Sequence, residues 1–399
     1  VIYLNLKNLK APNLGNIKQL LNSDLSSLKN FKKAPKLPKV DLNSKPKSTK
    51  PVVAIDLGTN KVKAVVGRYA KDKLIIDRTF TVDTPEGSVA DGNILNSVNL
   101  SRVIEGLLIG NGINIKDANI TSNGTQIINR EIIVPAAAGE ELDTLVRYEI
   151  QQYLPINMDD YVIQYSILEE LKQDNLTKYR VLVVTYPHRL AKQHYELLNN
   201  ANLKPSVLDV TFNSINKLFN DVKLINNKEY NNSGSNAFID MGAETLNVNI
   251  YNNGKLDFTR IIKSGGHLID RLISRKLGIS FEEGEQKKFN LGSISDTLFF
   301  EDNESDIINK MIIEAVDEWI EELGRIIQFY KNKKQGNNVD RIYIHGGSSN
   351  LKGMEEYLSQ KLNIQVERIE SLNNVVLGNA VNAADLNRYL NAIGAIIRL

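Results

Sequence analysis

The sequence predicts a two-lobed α/β protein whose halves repeat one supersecondary unit. Three observations carry this: a strand–Asp-x-Gly–strand hairpin at residue 56, another at residue 240, and a strand running into a Gly-Gly turn at residue 346. With 399 residues the chain is long enough for two or more domains with their own cores.

The first hairpin opens with Val52, Val53, Ala54 and Ile55, an unbroken apolar run of the kind seen in a strand buried on both faces. It leads into Asp56-Leu57-Gly58-Thr59-Asn60 and a second strand over residues 61–66. A Gly-Thr turn offers backbone N–H groups to phosphate oxygens. An Asp at the end of a buried strand suits Mg²⁺, held directly or through water, and Lys63 can neutralise phosphate charge. Alone, such a turn reads as an ordinary hairpin. The second copy turns it into a pattern. Ala237-Phe238-Ile239 precedes Asp240-Met241-Gly242-Ala243-Glu244-Thr245, and residues 246–250 alternate as a half-buried strand. The two Asp residues stand 184 positions apart, and hairpins from paired halves can grip one polyphosphate from both sides.

The third element is a strand over residues 341–344 followed by His345-Gly346-Gly347-Ser348-Ser349-Asn350. Two glycines let the backbone approach a flat ligand without a Cβ clash. Ser349 or Asn350 is expected to cap a helix over residues 354–362, and His345 to lie in the interior or line a cleft. Ile308, Met311, Ile312, Ala315, Trp319, Leu323, Ile326 and Tyr330 keep helical spacing, which predicts a long packed helix with Trp319 in the core.

Charge is uneven. The whole chain carries +2, but residues 1–50 hold eleven lysines against two aspartates. Residues 29–50 add Pro35, Pro38 and Pro46 to the lysines and read as an extended, solvated linker. Before it, Ile17, Leu20, Leu21, Leu25 and Leu28 fall at the spacing of a short amphipathic helix. Three readings of this basic arm stand: a disordered tail, a contact with an anionic membrane surface, or a docking peptide. Nucleic acid is not expected as a partner, because the remainder of the chain is acidic and shows no basic, aromatic-interleaved stripe. With no cysteine there is no disulfide framework and no thiolate ligand or nucleophile. The four histidines show no metal-ligand spacing, and no run of about eighteen apolar residues is present.

Taken together, the three blocks resemble the phosphate-1, phosphate-2 and adenosine motifs of the actin, Hsp70 and sugar-kinase superfamily. Further stretches narrow the resemblance. They are Asp91-Gly92-Asn93-Ile94, Glu149-Ile150-Gln151-Gln152-Tyr153-Leu154-Pro155, Ser264-Gly265-Gly266, Ile279-Ser280-Phe281-Glu282-Glu283-Gly284-Glu285-Gln286-Lys287-Lys288 and Glu322-Leu323-Gly324-Arg325-Ile326-Ile327-Gln328-Phe329-Tyr330. With these, residues 51–399 resemble the PilM family of actin-like proteins of type IV pilus assembly, with FtsA as the nearest cousin. The sequence departs from the family at Gly284, where Ala is common, and in the length of its Lys-rich arm. Residues 396–399 are not followed by the amphipathic helix of FtsA-like proteins, which in this reading favours PilM.

The resemblance implies an actin/Hsp70-like, duplicated ribonuclease-H-like α/β fold with an FtsA/PilM-type α+β insertion. The first nucleotide-binding subdomain is expected over 51–129, completed by 206–235 and 380–399. The insertion is expected over 130–205, the second nucleotide-binding subdomain over 236–271 and 304–379, and a small insertion over 272–303. Residues 213–219 form the connecting helix in this scheme, and 388–398 the final one. It implies ATP or ADP with Mg²⁺, held by Asp56, Gly58, Thr59, Asn60, Lys63, Asp240, Gly242, Ala243, Glu244, Thr245, Gly265, Gly266, Glu285, Lys288, Gly346, Gly347 and Ser348. Asp56 and Asp240 are the expected Mg²⁺ ligands, through water. Phosphoryl transfer depends on a positioned water or base, and Asp209 is a weak candidate in the connecting segment. The expectation is therefore at most a slow ATPase, a scaffold recruited from the cytoplasm to the inner face of the membrane. The implied partner is the short cytoplasmic tail of a PilN-like membrane protein, beside other pilus platform or motor proteins and possible self-association. Such tails resemble Ile-x-Ile/Leu-Asn-Leu-Leu-Pro. This chain begins Ile2-Tyr3-Leu4-Asn5-Leu6, so Ile2, Leu4, Asn5 and Leu6 are candidate mimics of that tail. The alternatives are a small-molecule kinase of the same superfamily, which would use Asp209 as base, and an FtsA-like filament.

Overall fold

The computed structural model describes residues 3–5, 50–154, 157–173, 176–294 and 303–398. The predicted amphipathic helix, the linker, Ile2 and Leu6 lie outside the described residues.

The first lobe opens with a three-residue strand, β1 (Tyr3–Asn5), and the expected hairpin, β2 (Val52–Leu57) with β3 (Lys61–Ala70). β4 (Lys73–Asp83) continues the meander, the short pair β5 (Val89–Ala90) and β6 (Asn93–Ile94) follows, and α1 (Ser97–Gly110) leads to β7 (Asp117–Ser122). The insertion comprises β8 (Ile128–Pro135), α2 (Glu140–Tyr153), β9 (Tyr161–Gln173) and β10 (Leu176–Pro187). Then come α3 (His188–Asn200), β11 (Lys204–Val210), α4 (Thr211–Phe219) and the short pair β12 (Leu224–Ile225) and β13 (Lys228–Glu229). The second lobe holds β14 (Ser235–Met241), β15 (Leu246–Asn252), β16 (Lys255–Ile262), α5 (Gly266–Leu277), α6 (Phe281–Leu291) and α7 (Glu304–Lys333). β17 (Arg341–His345), α8 (Met354–Leu362), β18 (Val366–Arg368), β19 (Val375–Leu377) and α9 (Leu390–Gly394) complete the chain.

The two main sheets share one plan. The first runs β1-β11-β7-β2-β3-β4-β19 and the second β16-β15-β14-β17-β18. In each, a strand–turn–strand meander is antiparallel and the next two strands join it in parallel. The register repeats as well. Asp56 stands opposite Lys63 and Thr121, and Asp240 opposite Asn247 and His345. This duplicated order places both Asp residues at equivalent strand ends.

Why the segments take these forms follows from their patterning. β2 is buried at all six positions, as its unbroken apolar run requires. α7 buries Ile308, Met311, Ile312, Ala315, Trp319, Leu323 and Tyr330 along one stripe, and Trp319 is fully buried with its Nε1–H donating to Ser264 Oγ at 2.9 Å. The insertion packs α2 on a three-stranded sheet through its own core of Ile132, Val134, Leu142, Val146, Ile150, Ile163, Val181 and Val183.

Some boundaries differ from the sequence expectation. α3 lies within the stretch assigned to the insertion, yet Leu190, Ala191, Leu197 and Leu198 bury in the first-lobe core. β19 pairs with β4 of the first sheet, ahead of the expected return at residue 380. In the expected small insertion, Ile273 of α5 enters the second-lobe core, and Ile279, between α5 and α6, packs against it. The final helix is shorter than 388–398. A Cβ on Gly394 would meet Ser214 O at 2.1 Å, so α9 and α4 cross in direct contact. Asn119 then takes Ala395 O at 2.8 Å and Lys217 takes Ile397 O at 2.9 Å, satisfying carbonyls that a longer helix would use itself.

An aromatic seam joins the lobes. Phe219 of α4 lies 4.4 Å from Phe238, which stacks on Tyr343 at 5.2 Å, and Tyr230 and Tyr251 close the group. The insertion also reaches the second lobe through charge: Arg180 lies 3.6 Å from Asp257 and Lys333 3.6 Å from Glu131.

His194 on α3 is fully buried, with Nδ1 2.8 Å from Leu190 O and no partner for Nε2 among the described residues. Burial pushes its pKa down to about 4, opposed in part by that backbone bond. The unfolded chain takes the proton near 6.5, so stability present above that pH is lost as the pH falls towards 4. Between pH 7 and pH 5 the native chain should lose about 2 kcal/mol more than a His194→Gln variant. Urea denaturation of both at the two pH values measures it; parallel losses would remove His194 as the cause.

Candidate functional site

The site lies where the two hairpins face each other. Gly58 N donates to Lys61 O at 3.2 Å and Gly242 N to Thr245 O at 3.0 Å, so the two turns have the same internal bond. A Cβ on Gly58 would stand 2.8 Å from Lys61 O and one on Gly242 2.9 Å from Thr245 O, which is why both turns need glycine. Thr84 buttresses the first turn, its Oγ1 donating to Gly58 O at 2.8 Å and its N–H to Asn60 O at 3.0 Å. The N–H groups of Thr59, Asn60, Ala243 and Glu244 find no acceptor among the described residues.

Between the turns, the two Asp residues share one amide. Asn391 of α9 donates to Asp240 Oδ2 at 2.8 Å and to Asp56 Oδ2 at 3.4 Å. Lys63 Nζ lies 3.3 Å from Asp56 Oδ2. Burial raises the Asp56 pKa, with Asp240 adding to the rise and Lys63 opposing it. Burial works against the charge of Lys63, but Asp56 and Asp240 outweigh it and hold the ammonium above its ordinary pKa. His345 is buried 3.9 Å from Asp240, and burial lowers its pKa against the pull of that carboxylate. It is an interior residue and is not among those lining the cavity.

A cavity of about 320 Å³ opens beside this cluster. Of the predicted residues, Asn60, Gly242, Ala243, Gly266, Glu285, Lys288, Gly347 and Ser348 line it. Asn60 Nδ2 reaches Glu285 Oε1 at 3.1 Å and closes one side. Gly265 and Gly266 are cradles: a Cβ on Gly265 would meet Ala243 O at 2.6 Å, and one on Gly266 would meet Ser348 Oγ at 2.6 Å. Gly346 has φ +92, and a Cβ there would stand 2.5 Å from Asp240 Oδ1.

Other predicted residues fall elsewhere. The Glu244 carboxylate turns to His267, 2.5 Å away, and is half exposed. Thr245 acts through its carbonyl, which takes the turn bond. Ser349 and Asn350 do not cap α8, whose N-cap is Gly353 with no side-chain cap. Ser349 Oγ donates to Gly346 O at 2.8 Å and Asn350 Nδ2 to the same carbonyl at 3.2 Å, so they fasten the glycine turn instead. Asp209 is sealed in the first lobe: Lys217 Nζ lies 2.5 Å away, Val210 N and Asn213 Nδ2 donate to Oδ1, and the cavity lining does not include it. A carboxylate so engaged is a structural ion-pair member, not a poised base.

Sequence reading missed two residues. Asn391 sits among Leu390, Ala392 and Ile393 and looks like core helix. Asp270 is fully buried on α5, lines the cavity, and pairs with Lys288 at 2.6 Å; burial raises its pKa while Lys288 opposes. The spacing of 270 to 288 places them on consecutive helices, and only the packing of α5 on α6 joins them.

The residues fit a Mg-nucleotide. Mg²⁺ keeps several waters and takes one or two carboxylates plus phosphate oxygens. Asp56 and Asp240 are two such carboxylates, and no cluster of three or more acidic or histidine ligands exists among the described residues. Glycine cradles at 242, 265 and 266 leave room where side chains would clash.

The model of the family described as type IV pilus assembly protein PilM matches residues 54–398. Among solved structures, the chain superposes on the PilM-PilN type IV pilus biogenesis complex with a TM-score of 0.73, at 20% identity, over 86% of this chain and 97% of that one. It matches the ethanolamine utilization protein EutJ from Carboxydothermus hydrogenoformans at a TM-score of 0.50, with 14% identity over 88% and 91% of the two chains. These neighbours have the actin-like ATPase fold, and this chain shares it. The cell division protein FtsA of Enterococcus faecalis is 26% identical over 171 residues, a stretch spanning 39% of each chain. No helix among the described residues is long and apolar enough to cross a membrane.

Gly346→Ala forces a side chain onto Asp240 at a left-handed backbone position and should cost about 2–3 kcal/mol. Gly347→Ala, with nothing within 4 Å of its added Cβ, should cost little. Chemical denaturation of the two neighbours tests the assignment; equal losses would refute it.

Proposed function

This chain belongs to the PilM family of type IV pilus assembly proteins, and from that premise we propose that it is an ATP-binding scaffold whose cleft closure a partner reads. The carrying observation is the Asp56–Asn391–Asp240 bridge between the duplicated hairpins. Lys63 and the N–H groups of residues 59, 60, 243 and 244 would hold the phosphates of a nucleotide between the turns. Asp56 and Asp240 would hold Mg²⁺, which would supply charge neutralisation to those phosphates. Glu285, Lys288 and Asp270 face the rest of the ligand, and Gly346, Gly347 and Ser348 let its flat end approach the backbone. Differential contact with open and closed lobes is what allows a ligand to shift their balance.

Turnover in this reading is slow or absent, because Asp209 is tied to Lys217. The same ion pair argues against the small-molecule kinase, which needs a free carboxylate near a substrate hydroxyl. The partner is the short extended tail of a PilN-like membrane protein, which recruits the chain to the inner face of the membrane.

Protein mixed with Mg²⁺ and labelled ATP should retain intact ATP for minutes or longer. Rapid conversion and release of ADP would replace the scaffold with an enzyme. Asp240→Ala and Lys63→Ala should each weaken ATP binding at least about tenfold, the loss of a charge-assisted contact. Unchanged affinity in both would move the nucleotide out of this cleft.

A further inference from the structure

β1 lies against an edge that would otherwise be open. Tyr3, Leu4 and Asn5 run antiparallel to β11, opposite Asp209, Leu208 and Val207. On its other side β11 pairs with β7. Without β1, β11 would end the first sheet and leave a row of backbone N–H and C=O groups free for another strand. Edges that stay unpaired are blunted by lysine, proline, a bulge or inward-pointing charge. The segment of β11 that β1 pairs with, Val207-Leu208-Asp209, carries no lysine or proline, and its one charge, buried Asp209, is neutralised by Lys217; Lys204, Pro205 and the register shift with β7 all fall before it.

We propose that the β11 edge is a strand-addition site for an extended peptide, and that residues 3–5 of this same chain are its internal occupant. Forty-four residues separate Asn5 from Lys50 at the start of the folded body. Because the occupant belongs to the same chain, its pairing is intramolecular, and a separate peptide competes against its effective concentration. Three residues of ladder form a short pairing, so a free extended peptide at sufficient concentration displaces it. Main-chain hydrogen bonds supply the attraction in this mode, and alternate side chains supply selectivity. The competitor's identity rests on the proposed partner tail, but the edge and its internal occupant do not.

The test uses the full chain and a fluorescent peptide of residues 1–8. Leu4→Pro in the full chain fixes φ and removes an N–H at the centre of β1, and it leaves the folded body untouched. The peptide should bind the Leu4→Pro chain about tenfold or more tightly than the native chain, and a peptide carrying the same Leu4→Pro change should bind neither. Equal affinity for both chains, or no binding to the Leu4→Pro chain, would overturn the proposal. Light scattering distinguishes exchange between copies: a native dimer that Leu4→Pro converts to monomer would place β1 on a neighbour and end the internal-occupant assignment. A PilN-type tail that fails to bind the Leu4→Pro chain, where the residue 1–8 peptide succeeds, would remove the pilus partner and leave the strand-addition site standing.

Discussion

Two like-charged carboxylates from the two halves of this chain end against the same side-chain amide. Asp56 and Asp240 come to the cleft because each closes a buried strand at an equivalent place in a duplicated sheet. Side by side they would repel, and in a partly dehydrated cleft that repulsion raises the pKa of at least one. Asn391 and Lys63 make the arrangement tolerable, one by donating to both carboxylates and the other by its charge. A bound Mg-nucleotide would supply what they supply only in part. The cleft is therefore built around a demand for positive charge, and the rest of the molecule holds that demand in place.

Holding it requires α9 to be fixed, and the fixing is done at backbone contact. Gly394 lies on Ser214 O, while Asn119 and Lys217 take the carbonyls of Ala395 and Ile397. Lys217 is itself buried and held by Asp209. An ion pair so deep adds little net stability relative to an apolar pair, but breaking it strands a charge. Its use here is positional. It ties the end of β11 to the segment after α9, and so to the amide between the two lobes.

Movement between the lobes has few places to occur. The aromatic seam of Phe219, Phe238 and Tyr343 joins them below the cleft, and Asn60–Glu285 and Asn123–Asn247 span it with single side-chain bonds. The first kind of contact buries aromatic surface between the lobes, while the second spans them with single side-chain hydrogen bonds. The insertion touches the second lobe through Arg180–Asp257 and Lys333–Glu131. These charge contacts span the same two lobes as the cleft, and β1 lies on the first-lobe sheet.

By itself the sequence determined the parts whose signals are local. Each Asp-x-Gly hairpin is visible because strand alternation, a turn glycine and a terminal acid fall within about fifteen residues, and α7 because its apolar stripe repeats at the helical period. Their recurrence disclosed the duplication. Tertiary structure alone decided what those parts meet. It put α3 in the first lobe, ended α9 at Gly394, joined Asp270 to Lys288 and Asp209 to Lys217, and made Asn391 the bridge. None of these has a local signature, because a buried amide or ion pair is chosen by the groups facing it across the packing. Those groups lie on other elements, up to 335 positions away in the case of Asn391 and Asp56.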